Sequence, residues 1–222
     1  INGLNKFLNK TKPDLLIVHG DRVESLAGAI VGSLNNINVA HIEGGEVSGT
    51  IDEALRHAIS KLAHFHFVTN LKAKKRLEQL GEMSKNIFVI GSPDVDIILS
   101  KKLPSFKETK LRYNIKFHKY AILIIHPVTT AIEKIKSELK VLDKVLNKSK
   151  FNFIVLYPNN DNGSEIILNY IKNKLSKLKS NFRILPSMRF ENYLTLLKNS
   201  NFIIGNSSSG IMEAPYYGVP TL

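Results

Sequence analysis

The feature that most restricts this chain is its alternation between two hydrophobic periods. Residues 14–19 read DLLIVH, a continuous apolar run rather than a polar–apolar alternation. Such a run is expected of a strand buried on both faces of a parallel sheet. The sequence then predicts a helix over 23–34, a strand over 37–42, a helix over 51–64, a strand over 65–69, a helix over 71–80 and a strand over 87–90. Repeated βαβ order makes the fold class α/β, with parallel sheets flanked by helices. The pattern fades over 100–119, which is rich in lysine and contains Pro104, so this segment reads as an inter-domain connection. Alternation resumes with strands at 120–125, 153–157, 182–185 and 202–204, and helices at 132–145, 165–178, 191–198 and 208–216. In open α/β sheets ligands bind at the carboxyl ends of strands, so chemistry is sought just after each apolar run.

Composition removes several alternatives. The chain has 222 residues, between one domain and two, and both ends look cut, since it opens at Ile1 without methionine and closes on what reads as the start of a strand. Absence of cysteine excludes a disulfide scaffold, a thiol nucleophile and cysteine-based metal sites. No run of about 18 apolar residues is present and the opening stretch is polar, so a soluble cytoplasmic protein is expected. The net charge of +12 comes mostly from lysine. The few arginines are Arg22, Arg56, Arg76, Arg112, Arg183 and Arg189, and aromatics do not interleave with the basic runs. Nucleic acid is therefore not an expected partner, and solvated lysine on outer helix faces is the simpler reading.

Four polar clusters stand at the strand ends. In His19-Gly20-Asp21-Arg22, Gly20 permits a sharp turn and Asp21 is either a catalytic carboxylate or a helix cap. In the HIEGGE segment over 41–46, Glu43 stands beside paired glycines that would let a ligand approach the backbone, or the segment is a solvated loop. Two carboxylates in one cleft, Asp21 and Glu43, could have their proton affinities pushed apart and divide acid and base work. Thr50 and Glu53 fit a capping box, and Asp52 in the same first turn suits the helix dipole. His57 and His64 read as packed or surface residues, and no metal spacing stands out. His126 follows the strongest strand and could donate to a phosphate or shuttle a proton. Gly205 to Gly210 reads GNSSSG, where small residues and hydroxyls at a helix N-terminus would make an anion site. Glu213 follows; it either faces solvent or accepts bonds from ribose hydroxyls.

The stretch HIEGGEVSGTIDEALRHAISKLAH, with HGDR before it and GSPDVDIIL after it, closely resembles the hydrolysing UDP-N-acetylglucosamine 2-epimerases of sialic-acid pathways. IIHP, YPNNDNGS and GNSSSGIMEA extend that resemblance over nearly the whole chain. It implies two Rossmann-like domains in a GT-B arrangement, with the nucleotide in the cleft between them. The expected boundaries are 1–100 for part of the first domain, 101–118 for the linker and 119–222 for part of the second. It also implies hydrolysis of UDP-GlcNAc to ManNAc and UDP by anti elimination and hydration, without a cofactor or metal. The resemblance carries Asp21, Glu43 and Asp52 over as the carboxylates at the sugar and leaves open which is the base. It carries His126 over to the diphosphate and its departure, Ser207 and Ser208 to phosphate binding, and Glu213 to the ribose. Homodimers or tetramers are expected. The legionaminic-acid branch shares most of these motifs, so UDP-2,4-diacetamido-2,4,6-trideoxyglucose is the alternative substrate, and a GT-B glycosyltransferase is the alternative reaction class. The family's first strand with its glycine/arginine loop, and the segment after Pro220-Thr221, are missing, so the 222 residues alone are expected to be inactive. Asn169 and Lys172 replace the two arginines of the animal enzyme's feedback site, so no such feedback is expected.

Overall fold

The computed structural model describes residues 1–177 and 181–222, which divide into two compact units, Ile1–Asp96 and Ile97–Leu222. Both are α/β with parallel sheets, as the alternation requires.

In the first unit β1 (Leu15–His19), β2 (Asn38–Ile42), β3 (Phe65–Val68) and β4 (Ile87–Val89) lie side by side in sequence order, all parallel. They are joined by α2 (Val23–Leu34), α3 (Ile51–Leu62) and α4 (Leu71–Gln79). Right-handed crossovers between successive neighbours carry the helices to the same face. That explains a departure from expectation. Val18 is buried under α2, whereas Leu15 and Ile17 on the other face of β1 are 42% and 58% exposed. The apolar run is therefore packed on one side only in this unit. α2 lies close to the sheet because Gly28 and Gly32 face it: a Cβ at Gly32 would fall 2.7 Å from Val39 Cγ2. An unforeseen helix, α1 (Asn2–Thr11), packs on α2 through Leu8 and a bond from Asn35 Nδ2 to Asn5 Oδ1 (2.9 Å).

In the second unit the order is β7-β6-β5-β8, with β5 (Ala121–Ile124), β6 (Phe153–Leu156), β7 (Phe182–Leu185) and β8 (Ile203–Gly205). Here the apolar runs are buried on both faces. Ala121 and Leu123 join Ile135, Leu139 and Leu146 of α7 (Ile135–Lys148) and Ile167 and Ile171 of α8 (Ser164–Asn173). Ile122 and Ile124 join Leu194, Leu196 and Leu197 of α9 (Phe190–Lys198). Each fully buried aliphatic side chain contributes about 1.5–3 kcal/mol.

Three local expectations change. The segment 101–118 carries α6 (Phe106–Arg112), which follows the short helix α5 (Pro93–Ile98) and is closed by a capping box of Ser105 and Glu108. Ile115 and Thr109 are buried, and Asn192 Nδ2 donates to Thr109 Oγ1 (3.1 Å), so this stretch is part of the second unit's core rather than a bare connection. α8 ends at Asn173, followed by a 3-10 turn over Leu175–Lys177, and Leu178 and Lys179 lie outside the described residues. The helix expected over 208–216 is split into α10 (Ser209–Met212) and a 3-10 turn at Ala214–Tyr217. Pro215 lacks the N–H that would continue the helical ladder. Among the described residues no helix is long and apolar enough to cross a membrane.

Candidate functional site

Register brings the first two clusters together. His19 ends β1 opposite Ile42, which ends β2, and Gly20 N–H donates to Ile42 O (3.0 Å). Gly20 then turns with φ +73°, and the next residue is Asp21. On β2 the chain leaves through Glu43 itself, held in the left-handed region at φ +65° while its N–H donates to Phe67 O (2.8 Å). Such a backbone is costly for a residue with a Cβ.

Glu43 is gripped on both oxygens. His19 Nε2 lies 3.0 Å from Oε2, and Ser92 Oγ donates to Oε1 (3.1 Å). The His19 bond holds the Glu43 carboxyl below the usual range against the cost of its burial, and in turn raises the His19 imidazole. Asp94 lies near enough to have its own carboxyl raised, first by burial and then by Glu43. Asp21 behaves oppositely to Glu43. Burial raises it and the charge of Asp52 adds to that, although Arg56 Nη2 bonds its Oδ2 and opposes both. Asp52 and Arg56 are four apart on α3, so one helix face presents both toward Asp21. Asp52 accepts a long bond from Thr50 Oγ1 (3.5 Å). The three carboxylates singled out in the sequence thus share one region of the first unit.

Several neighbours proved to be supports. His41 is fully buried: its Nε2–H donates to Gly20 O (2.8 Å), so Nδ1 accepts from Ser60 Oγ (2.9 Å). Burial pushes its pKa down to about 4, which keeps it a neutral strut behind the turn that presents Asp21. The paired glycines do not open the backbone to a ligand. Gly44 and Gly45 are buried, and a Cβ would sit 2.8 Å from Ser60 Oγ at the first and 2.5 Å from Ala73 O at the second. The close approach is made by the protein's own α3 and α4. Glu46 accepts from Asn70 Nδ2 (2.7 Å) and from Thr69 Oγ1, which ties the loop to α4. The capping box at Thr50 is also absent. Glu53 instead takes the N–H groups of Ser48 and Gly49 (2.8 Å each), gathering the glycine loop ahead of the helix. His64 Nδ1 accepts from Val39 N (3.0 Å), and His57 lies 3.9 Å from Glu53.

In the second unit β5 and β8 are paired neighbours, and their exits are latched together. His126 N–H donates to Asn206 Oδ1 (2.7 Å) and Asn206 Nδ2 returns a bond to His126 O (2.9 Å). Asn159 N–H donates to His126 Nδ1 (3.1 Å), which places the proton of a neutral ring on Nε2. Gly205 must be glycine, because a Cβ at its φ of +131° would fall 1.8 Å from Ile124 O. Beyond it Ser208 is exposed, Ser207 and Glu213 are half-buried, and Ser209 is buried against the Tyr193 hydroxyl. Glu213 lies close enough for its charge to help raise the Tyr193 and Tyr217 phenols. α10 spans only four residues, so the macrodipole expected there is slight, and the hydroxyls of Ser207 and Ser208 remain as donors.

His19, Arg56 and Ser92 in the first unit, and Asn159 and Asn206 in the second, were not among the predicted site residues. Ser92, Asn159 and Asn206 had a signal, since each follows a strand by no more than three residues.

Comparison with known proteins follows the same lines. The family described as "UDP-N-acetylglucosamine 2-epimerase" matches residues 1–222. A UDP-N-acetylglucosamine 2-epimerase of Neisseria meningitidis serogroup B is 47% identical over 100% of this chain and 58% of its own length. A UDP-N,N'-diacetylbacillosamine 2-epimerase (hydrolyzing) of Legionella pneumophila is 36% identical over 98% of this chain and 57% of its own. The chain therefore spans well under two thirds of the curated relatives it matches. Among solved structures, the UDP-GlcNAc 2-epimerase of Methanocaldococcus jannaschii in complex with UDP-GlcNAc and UDP superposes with a TM-score of 0.79 at 27% identity, covering 99% of this chain and 62% of that one.

Proposed function

We propose, from the premise that this chain belongs to the UDP-N-acetylglucosamine 2-epimerase family, that its parent protein is a hydrolysing epimerase converting UDP-GlcNAc and water to ManNAc and UDP. The observation that carries this reading is the pair at the ends of β1 and β2. Asp21 and Glu43 stand together with their proton affinities pushed in opposite directions. Elimination needs a carboxylate to take the C2 proton while the C1–O bond breaks and UDP leaves with the electron pair. Glu43, held anionic, suits that step. Hydration of the resulting 2-acetamidoglucal adds hydroxide at C1 and a proton at C2 on the opposite face. Asp21, whose carboxyl is raised by burial, is the better placed of the two to deliver it. The C2 proton is weakly acidic, so C1–O cleavage must run ahead and leave cationic character at C1 that the carboxylates stabilise. In the second unit the Nε2–H of His126 and the Ser207 and Ser208 hydroxyls suit a diphosphate, and Glu213 suits ribose hydroxyls. The hydrolysing type and a sialic-acid role are supported by the names of relatives, including a "Polysialic acid biosynthesis protein P7" of Escherichia coli at 36% identity.

The Legionella relative supports one alternative substrate, the 4-acetamido-6-deoxy UDP-sugar, with the same chemistry. The full-length protein is given each UDP-sugar in D₂O and followed by NMR. Free ManNAc carrying deuterium at C2 is expected from UDP-GlcNAc. A UDP-linked epimer would refute hydrolysis, and turnover of the diacetamido sugar alone would select the alternative. UDP release only with an added acceptor would point to a glycosyltransferase.

A further inference from the structure

Glu43 is fixed more completely than a base on a surface loop needs to be. Its backbone is left-handed at φ +65°, its amide is tied to β3, and both side-chain oxygens are taken by different elements. The donor from β1 is His19, whose side chain is 47% exposed, so it is not there to fill a core. A histidine at a strand terminus could have pointed into water. Instead its Nε2 lies 3.0 Å from Glu43 Oε2.

Chemistry gives that contact a purpose. A carboxylate that takes a proton from carbon must be charged and aimed before the substrate arrives, because carbon offers no hydrogen bond to draw it into place. A donor on one oxygen fixes the rotamer and favours the anion without itself being a competing base. Resting on the reading of Glu43 as the base, we propose that His19 is a positioning residue of the elimination step: its Nε2–H holds the Glu43 carboxylate in one orientation and in the anionic form. Other charged groups face the pair. Asp94 from α5 and Asp21 from the turn after β1 both favour the imidazolium, and Arg56 from α3 favours the Glu43 anion. Ser92 holds the second oxygen and is neutral, so His19 is the partner whose protonation changes with pH.

The test uses full-length protein with UDP-GlcNAc, measuring UDP release against pH for wild type, His19→Leu and His19→Gln. Leucine removes the donor, and glutamine restores an N–H of similar reach. We expect His19→Leu to lower kcat about 10- to 100-fold with KM little changed. The acidic limb of its kcat/KM profile should move to higher pH, because Glu43 loses the bond that keeps it ionised. His19→Gln should recover part of kcat. An unchanged kcat and acidic limb in His19→Leu would overturn the proposal, as would a change in KM alone. A second measurement is independent of turnover: the His19 ring is titrated by NMR in wild type and Glu43→Gln. Its midpoint should fall in the variant, and an unmoved midpoint would dissolve the pair. A wild type that releases no UDP while the midpoint does fall would refute the proposed reaction and leave the pair standing.

Discussion

Acid should destabilise the first unit through His41. Its imidazole is fully buried, with Nε2–H on the Gly20 carbonyl and Nδ1 accepting from Ser60. Its pKa is pushed from the ordinary 6.5 down to about 4. A histidine depressed on folding binds its proton more readily when unfolded. Stability is therefore whole above the ordinary value, falls as pH drops from 6.5 toward 4, and is flat below that. At 1.36 kcal/mol per pKa unit, the loss across the window is about 3 kcal/mol. The comparison is urea denaturation of full-length protein and of His41→Gln at pH 7 and pH 4.5, reading the transition of the first unit. Glutamine keeps a donor for Gly20 O but does not titrate, so it should be less stable at pH 7 and lose less on acidification. His66, also lowered by burial, and Glu43 add to acid lability in both proteins, and the difference between them isolates His41. Equal acid losses in the two proteins would refute the buried neutral strut.

Other substitutions probe the same framework. Gly45→Ala forces a Cβ to 2.5 Å from Ala73 O at φ +78°, and should destabilise by about 2–4 kcal/mol in the same urea assay. Asp21→Asn and Glu43→Gln should each lower UDP release by orders of magnitude while UDP still binds by calorimetry; unchanged turnover would remove that residue from the mechanism. Asn206→Ala cuts both bonds that latch the β5 and β8 exits, so UDP affinity should fall about tenfold, with kcat affected less once UDP-sugar saturates.

The strands, and the helices between them, were legible because burial imposes a period on residues such as those of DLLIVH and AILI. The uses of the strand-end residues were less legible. Gly44 and Gly45 look like a ligand-facing pair in sequence, yet their freedom is consumed by contacts with α3 and α4 that only tertiary packing creates. α6 escaped notice because seven residues with three basic side chains show little apolar stripe, and its stability comes from the Ser105–Glu108 box and packing against α9. Asp21 and Glu43 could be singled out as candidates by position, whereas Asp52 came only with the resemblance. The signs of the Asp21 and Glu43 shifts could not be read there, because they depend on how far each group is buried and on which partner reaches it.

The histidines show how partner and burial divide one residue type. His41 and His66 lose proton affinity because burial outweighs their partners, whereas His19 gains it because the Glu43 bond outweighs its partial burial. These shifts bound the pH range of the whole first unit from both sides. The His19–Glu43 attraction exists while Glu43 is ionised and His19 protonated, so it fades as pH falls through the depressed Glu43 value and again as pH rises through the raised His19 value. His41 strains the fold only on the acidic side. Acid therefore costs the unit both its stability and its anionic carboxylate, whereas mild alkali costs only the charge on His19, whose neutral Nε2–H can still donate to Glu43. Activity should accordingly survive mild acid, fall once pH drops through the depressed Glu43 value, and change only gently above neutrality.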